Sequence, residues 1–104
     1  MNLTRHELPE PAFLTSGKVG EAERAAATDA VHEALAGTRE RVRSVRVTLS
    51  VVEDPSLPRP ALAQAVVEID GRRLRAQAAA PDLTEAIDLM RRRLTVRTAH
   101  LRAG

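Results

Sequence analysis

The dipeptide Asp70-Gly71 stands between two stretches of period-two alternation, and this arrangement constrains the fold more than any other feature of the chain. Upstream, in a run from about Leu62 to Ile69, Ala65, Val67 and Ile69 alternate with Gln64, Val66 and Glu68. Downstream, Leu74, Ala76 and Ala78 alternate with Arg73, Arg75 and Gln77. Successive side chains of a strand point to opposite faces, so each run reads as a strand. A two-residue Asp-Gly loop accepts the positive φ angles of the turn whose twist matches the flanking strands. The region reads as an antiparallel hairpin with one apolar face.

The rest of the chain supplies partners for that hairpin. Val45, Val47, Leu49 and Val51 alternate with Arg46, Thr48 and Ser50, a third half-buried strand. It ends where Pro55, Pro58 and Pro60 remove ladder donors, so residues 54–60 form a loop. Residues 12–16 make a short strand stopped by Gly17-Lys18-Val19-Gly20. From Glu21 to Ala36 good helix formers follow acids in a first turn, and Gly37 sits at the C′ position. Ala27, Ala30, Val31, Ala34 and Leu35 recur at spacings of three and four, one buried face. A last helix, capped by Asp82 with Glu85 three residues on, runs to about Arg102 with Leu83, Ala86, Ile87, Met90, Leu94 and Leu101 as its apolar stripe. The order is β-α-β-β-β-α, an α+β fold with a four-stranded mixed sheet and two helices on one face. Residues 1–11, with Pro9 and Pro11, read as a flexible arm, and 12–102 as a single domain.

Composition narrows the function. Phe13 is the one aromatic residue among 104, so the core must be aliphatic and no aromatic platform can stack single-stranded bases. The absence of cysteine excludes disulfides, thiolate nucleophiles and Cys-containing zinc sites. No apolar run reaches the length of a membrane span, and the N-terminus lacks a signal-peptide core, so a soluble cytoplasmic protein is expected, with no membrane partner. Catalytic patterns are missing too. His6, His32 and His100 fall in different elements without partners at ligand spacing, and His32 reads as a surface histidine. Glu53-Asp54 are sequence neighbours at a strand exit, where side chains point apart. The expectation is a protein that is not an enzyme, with no cofactor, no metal and no small-molecule substrate.

Charge carries the stronger signal. Fifteen of the 16 basic residues are arginine, and the formal charge is +2. Residues 1–70 hold 8 basic and 11 acidic residues, a sum of −3, whereas residues 71–104 hold 8 basic and 3 acidic residues, a sum of +5. On the last strand Arg73 and Arg75 share the face opposite Leu74 and Ala76. On the last helix Arg93, Arg97 and His100 fall along one stripe, with Arg92 beside it, Arg91 bordering the apolar side and Arg102 beyond. Guanidinium groups so placed can grip successive phosphates. A solvated face complementing the helix dipole is the plainer alternative. With three acids in the last 34 residues, polyanion binding is the reading adopted, and without aromatics it favours double-stranded or structured RNA read by shape.

The segment GRRLRAQAAAPDLTEAIDLMRRRL resembles the end of the N-terminal domain of ribosome hibernation-promoting factors, also called ribosome-associated inhibitors or sigma modulation proteins. The characteristic run is Asp82, Leu83, Thr84, Glu85, Ala86, Ile87, Asp88, leading into a basic helix. The resemblance covers about residues 12–102, with 72–94 as its most specific portion. It implies a fold similar to double-stranded-RNA-binding domains and docking in the channel of the small ribosomal subunit. Basic residues there would touch rRNA, block translation and silence ribosomes in dormancy or stress. The implied RNA contacts are Arg73, Arg75, Arg92, Arg93 and Arg97, with Arg91, His100 and Arg102 in support. Longer members add a C-terminal domain, so a longer chain or a homodimer is among the arrangements the resemblance allows. The sequence departs from the family pattern at Thr84, where an aromatic is usual, and at Val96, where a basic residue is usual. In the acidic first half Arg24, Arg39 and Arg41 would supply any contact, as in a diverged actinobacterial-type member. Two other readings stand beside it: an interaction or dimerisation module of the same fold that has lost ribosome binding, and a generic binder of double-stranded RNA.

Overall fold

A computed structural model describes residues 8–38 and 40–103 of the chain, without the side chains of residues 102 and 103. Its elements are β1 (Ala12–Ser16), α1 (Glu21–Leu35), β2 (Val42–Val51), β3 (Ala61–Ile69), β4 (Arg72–Ala80) and α2 (Leu83–Ala103). The β-α-β-β-β-α order and the α+β class match the expectation from alternation and helix period. The sheet runs β1-β2-β3-β4, with β1 parallel to β2 and the other pairs antiparallel. Ile69 faces Arg72 across a two-residue turn in which Asp70 and Gly71 have φ of 49° and 79°. Asparagine, aspartate and glycine tolerate that left-handed region best, which is why Asp-Gly closes the hairpin.

The strands are longer than the alternation suggests. β2 starts at Val42, where a bulge between Val42 and Ser44 resets the parity. Val42 and Val45 therefore both point inward while Arg43 and Ser44 stay exposed. β4 continues through Ala79 to Ala80, antiparallel to β3 as far as Ala61.

Both helices cover one face. α1 begins beyond its N-cap Gly20, whose N–H donates to Glu23 Oε1 at 2.7 Å. α2 begins beyond Asp82, whose Oδ1 accepts the Glu85 N–H at 2.8 Å, the cap expected from the sequence. Beneath α2 the inner faces of β3 and β4 carry Ala61, Ala63, Ala65, Ala76, Ala78 and Ala80, all buried. Alanines let a helix approach the sheet closely, and Leu83, Ala86, Ile87, Met90 and Leu94 fill the space between. An aliphatic core without a buried aromatic results. Phe13 packs at its margin.

Two expectations need correction on the α1 side. His32 is 6% exposed rather than on the surface, and its Nε2 lies 3.3 Å from the Pro9 carbonyl oxygen. Leu8 is buried in the core cluster, so the inner end of the segment read as an arm is packed. A helical wheel of α1 alone hides this, because the Pro9 carbonyl that meets His32 lies 23 positions upstream. Residues 1–7, with His6, and Arg39 lie outside the described residues.

Candidate nucleic-acid interface

β4 is an edge strand, and α2 packs along it. The alternation of β4 turns Arg73 and Arg75 to the open face, both exposed, while Leu74 and Ala76 face the helix. The helical period of α2 sends Leu94 into the core and leaves Arg92, Arg93, Val96, Arg97 and His100 exposed. These side chains and the strand edge enclose a groove of about 810 Å³. Its floor is Leu74, Ala76, Gln77 and Val96, and its walls are Arg73, Arg75, Arg92, Arg93, Arg97 and His100. No acidic residue lines it. Six of the eight residues expected to bind RNA thus meet in one place, drawn from two elements.

The arginines are not equivalent. Arg73 pairs with Glu68 at 3.1 Å and Arg92 with Asp88 Oδ2 at 2.8 Å. Arg93 reaches round the strand edge and donates to the Gln77 carbonyl oxygen at 2.6 Å. Among the described residues, the side chains of Arg75 and Arg97 make neither a hydrogen bond nor an ion pair, so their guanidinium groups keep every donor for a ligand. Exposed ion pairs such as Arg73–Glu68 contribute little and can open when a stronger anion arrives.

Arg91 stands apart from the expected set. Its side chain donates to Asp88 Oδ1 from Nη2 at 2.9 Å and from Nε at 3.3 Å. It also approaches Glu33 of α1 at 3.8 Å, and so ties the two helices together away from the groove. The hydrogen bond from Arg91 is the main reason the Asp88 carboxyl is held below its ordinary range, opposed in part by desolvation and helped by the charge of Arg92. Arg102 lies in α2, and its side chain is outside those described. Arg24 turns to the Val19 carbonyl oxygen at 3.5 Å, away from the groove.

Three cations beyond the expected set extend the basic surface. Arg72 lines a hollow with Arg97 and His100, and with Arg43 it lines another beside Gly71. Arg46 borders the open sheet face next to Arg73 and Arg75. The parity of β2 already marked Arg46 as outward. Arg43 is legible only once the bulge is known. Among the described residues no group of histidines or carboxylates could hold a metal ion, and no helix is long and apolar enough to cross a membrane.

Solved structures decide what fold this is. A ribosomal subunit interface protein from Coxiella burnetii superposes with a TM-score of 0.72 at 16% identity, over 90% of this chain and 98% of that one. The N-terminal domain of Protein Y from Thermus thermophilus superposes with a TM-score of 0.69 at 20% identity, over 86% of this chain and 94% of that one. The chain shares the fold of both. No protein-family model and no curated protein matches its sequence. At these identities the likeness is one of architecture, carried by element order and sheet topology rather than by shared residues.

Proposed function

We propose that this chain is a ribosome-associated module, without catalytic activity, that works in the cytoplasm. In this reading it binds the small subunit by gripping rRNA phosphates in the β4–α2 groove, and it blocks translation in dormancy or stress. The observation that carries the reading is the groove itself, walled by five arginines and a histidine with no acid among them. It lies on a fold shared with a ribosomal subunit interface protein and with Protein Y. Arg75 and Arg97 make the primary contacts because their donors are unused, and Arg73, Arg92 and Arg93 join by exchanging weak internal partners for phosphate. The floor has no aromatic group, so bases are not stacked and recognition is by backbone position and shape.

Co-sedimentation with purified small subunits at low and high salt tests the reading. Binding is expected at low salt and should weaken steeply as salt rises, because each neutralised phosphate releases condensed counterion. Replacing Arg92, Arg93 and Arg97 together by Glu should abolish it. Unchanged co-sedimentation of that triple variant would falsify the proposal.

A further inference from the structure

The outer edge of β4 offers a second kind of recognition that phosphate binding leaves unused. A two-residue turn makes its flanking pair, Ile69 and Arg72, the first pair of the hairpin to exchange ladder hydrogen bonds. Bonded and non-bonded pairs alternate from there. Glu68–Arg73, Val66–Arg75 and Gln64–Gln77 are then non-bonded pairs. Arg73, Arg75, Gln77 and Ala79 therefore turn their N–H and C=O groups away from β3, out over the groove. The Arg93 guanidinium on the Gln77 carbonyl oxygen agrees with this direction. Among the described residues it is the one group from outside the sheet that reaches this edge.

A row of alternating donors and acceptors complements another polypeptide strand, whereas a phosphate backbone offers acceptors alone. β4 has nine residues, enough to pair a long segment. The side-chain surroundings differ between the two faces of an added strand. On the open face its cross-strand neighbours are Arg73 and Arg75, which favour carboxylates. On the helix side it meets Leu74, Ala76 and Val96, the last 54% exposed, which favour aliphatic side chains. A second copy of β4 paired antiparallel about Leu74 would set Arg73 against Arg75, so charge disfavours that register of self-pairing.

We propose that the β4 edge takes up an extended acidic peptide of a partner protein by strand addition, with Glu or Asp alternating with Val, Leu or Ile. Arg93 leaves the Gln77 carbonyl as the strand arrives and pairs with a carboxylate at the rim. The proposal does not rest on the ribosome reading, although a strand seated there would cover the phosphate-binding arginines.

The full chain, labelled with nitrogen-15, is titrated with the capped peptide Glu-Val-Glu-Val-Glu-Val-Glu. Amide exchange and chemical shifts are followed, with polyuridylate and with a control peptide carrying Pro-Pro in place of the central Val-Glu, which removes an N–H directed at β4 for either strand direction. Protection of the outward Arg75 and Gln77 amides by the alternating peptide, with at least about tenfold weaker binding of the Pro peptide, supports the proposal. Ala79→Pro, at a position of the same outward parity that does not line the groove, removes an N–H that the sheet does not use, so it should lower peptide affinity by about tenfold or more and leave small-subunit co-sedimentation in place. Where that variant fails to fold, the amide protection in the unaltered chain decides. Equal binding of both peptides, protection by polyuridylate instead, no peptide binding, or a homodimer across β4 would each overturn it.

Discussion

At the scale of single residues, the turn glycines show how one Cβ separates two costs. Gly17 and Gly71 both have φ of +79°, so alanine at either position meets the same left-handed strain. A Cβ on Gly71 meets nothing within 4 Å, but one on Gly17 would sit 2.0 Å from the Val51 carbonyl oxygen. Gly71→Ala should cost about 1–2 kcal/mol, and Gly17→Ala more than that, in chemical denaturation. Equal losses would mean that the β1–α1 turn can move off β2. Asp88 sets a second residue-scale expectation. A carboxyl held below its ordinary value stabilises the fold above that value, and the contribution disappears as pH falls through the folded-state value. Asp88→Asn should therefore lower the thermal midpoint at pH 7, and the gap to the unaltered chain should close as pH drops below 3.8. A gap independent of pH would show that the Arg91 clamp does not depend on this charge.

At the scale of elements, the pairing of α2 with the alanine-faced hairpin determines the height of the groove wall. Ala65 is fully buried, opposite Val47 on one neighbour and Ala76 on the other. Ala65→Leu adds volume under α2 and should cost about 1–3 kcal/mol by overpacking. Val66→Leu, one position along on the open face, should stay within about 0.5 kcal/mol. Circular dichroism melts of both variants check the contrast, and a tolerated Ala65→Leu would mean that α2 rides loosely on the sheet. The same register explains why both arginine sets meet. Strand parity turns Arg73 and Arg75 to the open face, helix period turns Arg93 and Arg97 toward the β4 edge, and the two sets meet across that edge.

For the whole molecule, a formal charge of +2 conceals a strongly one-sided distribution. The groove contains no acid, and the carboxylates nearest it, Glu68 and Asp88, are engaged with Arg73, Arg91 and Arg92. Local potential, not net charge, governs encounter with a polyanion. In salt titrations of small-subunit binding, each phosphate contact contributes roughly 0.7–0.9 to the logarithmic slope. Any residual binding by the Arg92, Arg93 and Arg97 triple variant should have a slope shallower by about two to three. An unaltered slope would move the phosphate contacts off α2, toward Arg43, Arg46 and Arg72 on the sheet and hairpin end.

Much of the architecture is written locally. Alternation around Asp70-Gly71 specifies the hairpin, because side-chain direction in a strand has a period of two and Asp-Gly accommodates the turn's positive φ angles. The Asp82 cap and the three-and-four spacing of Leu83, Ala86, Ile87, Met90 and Leu94 specify α2 in the same way. Local periodicity cannot say which distant groups meet. The burial of His32 against Pro9, the reach of Arg91 to Glu33 on the other helix, and the bulge that exposes Arg43 all depend on packing between elements. The sequence by itself determined the strands, the helices and the faces each would bury. Only the tertiary structure decided which arginines stand free over the groove, because partner carboxylates and carbonyl oxygens are assigned by contacts between separate elements as well as within them.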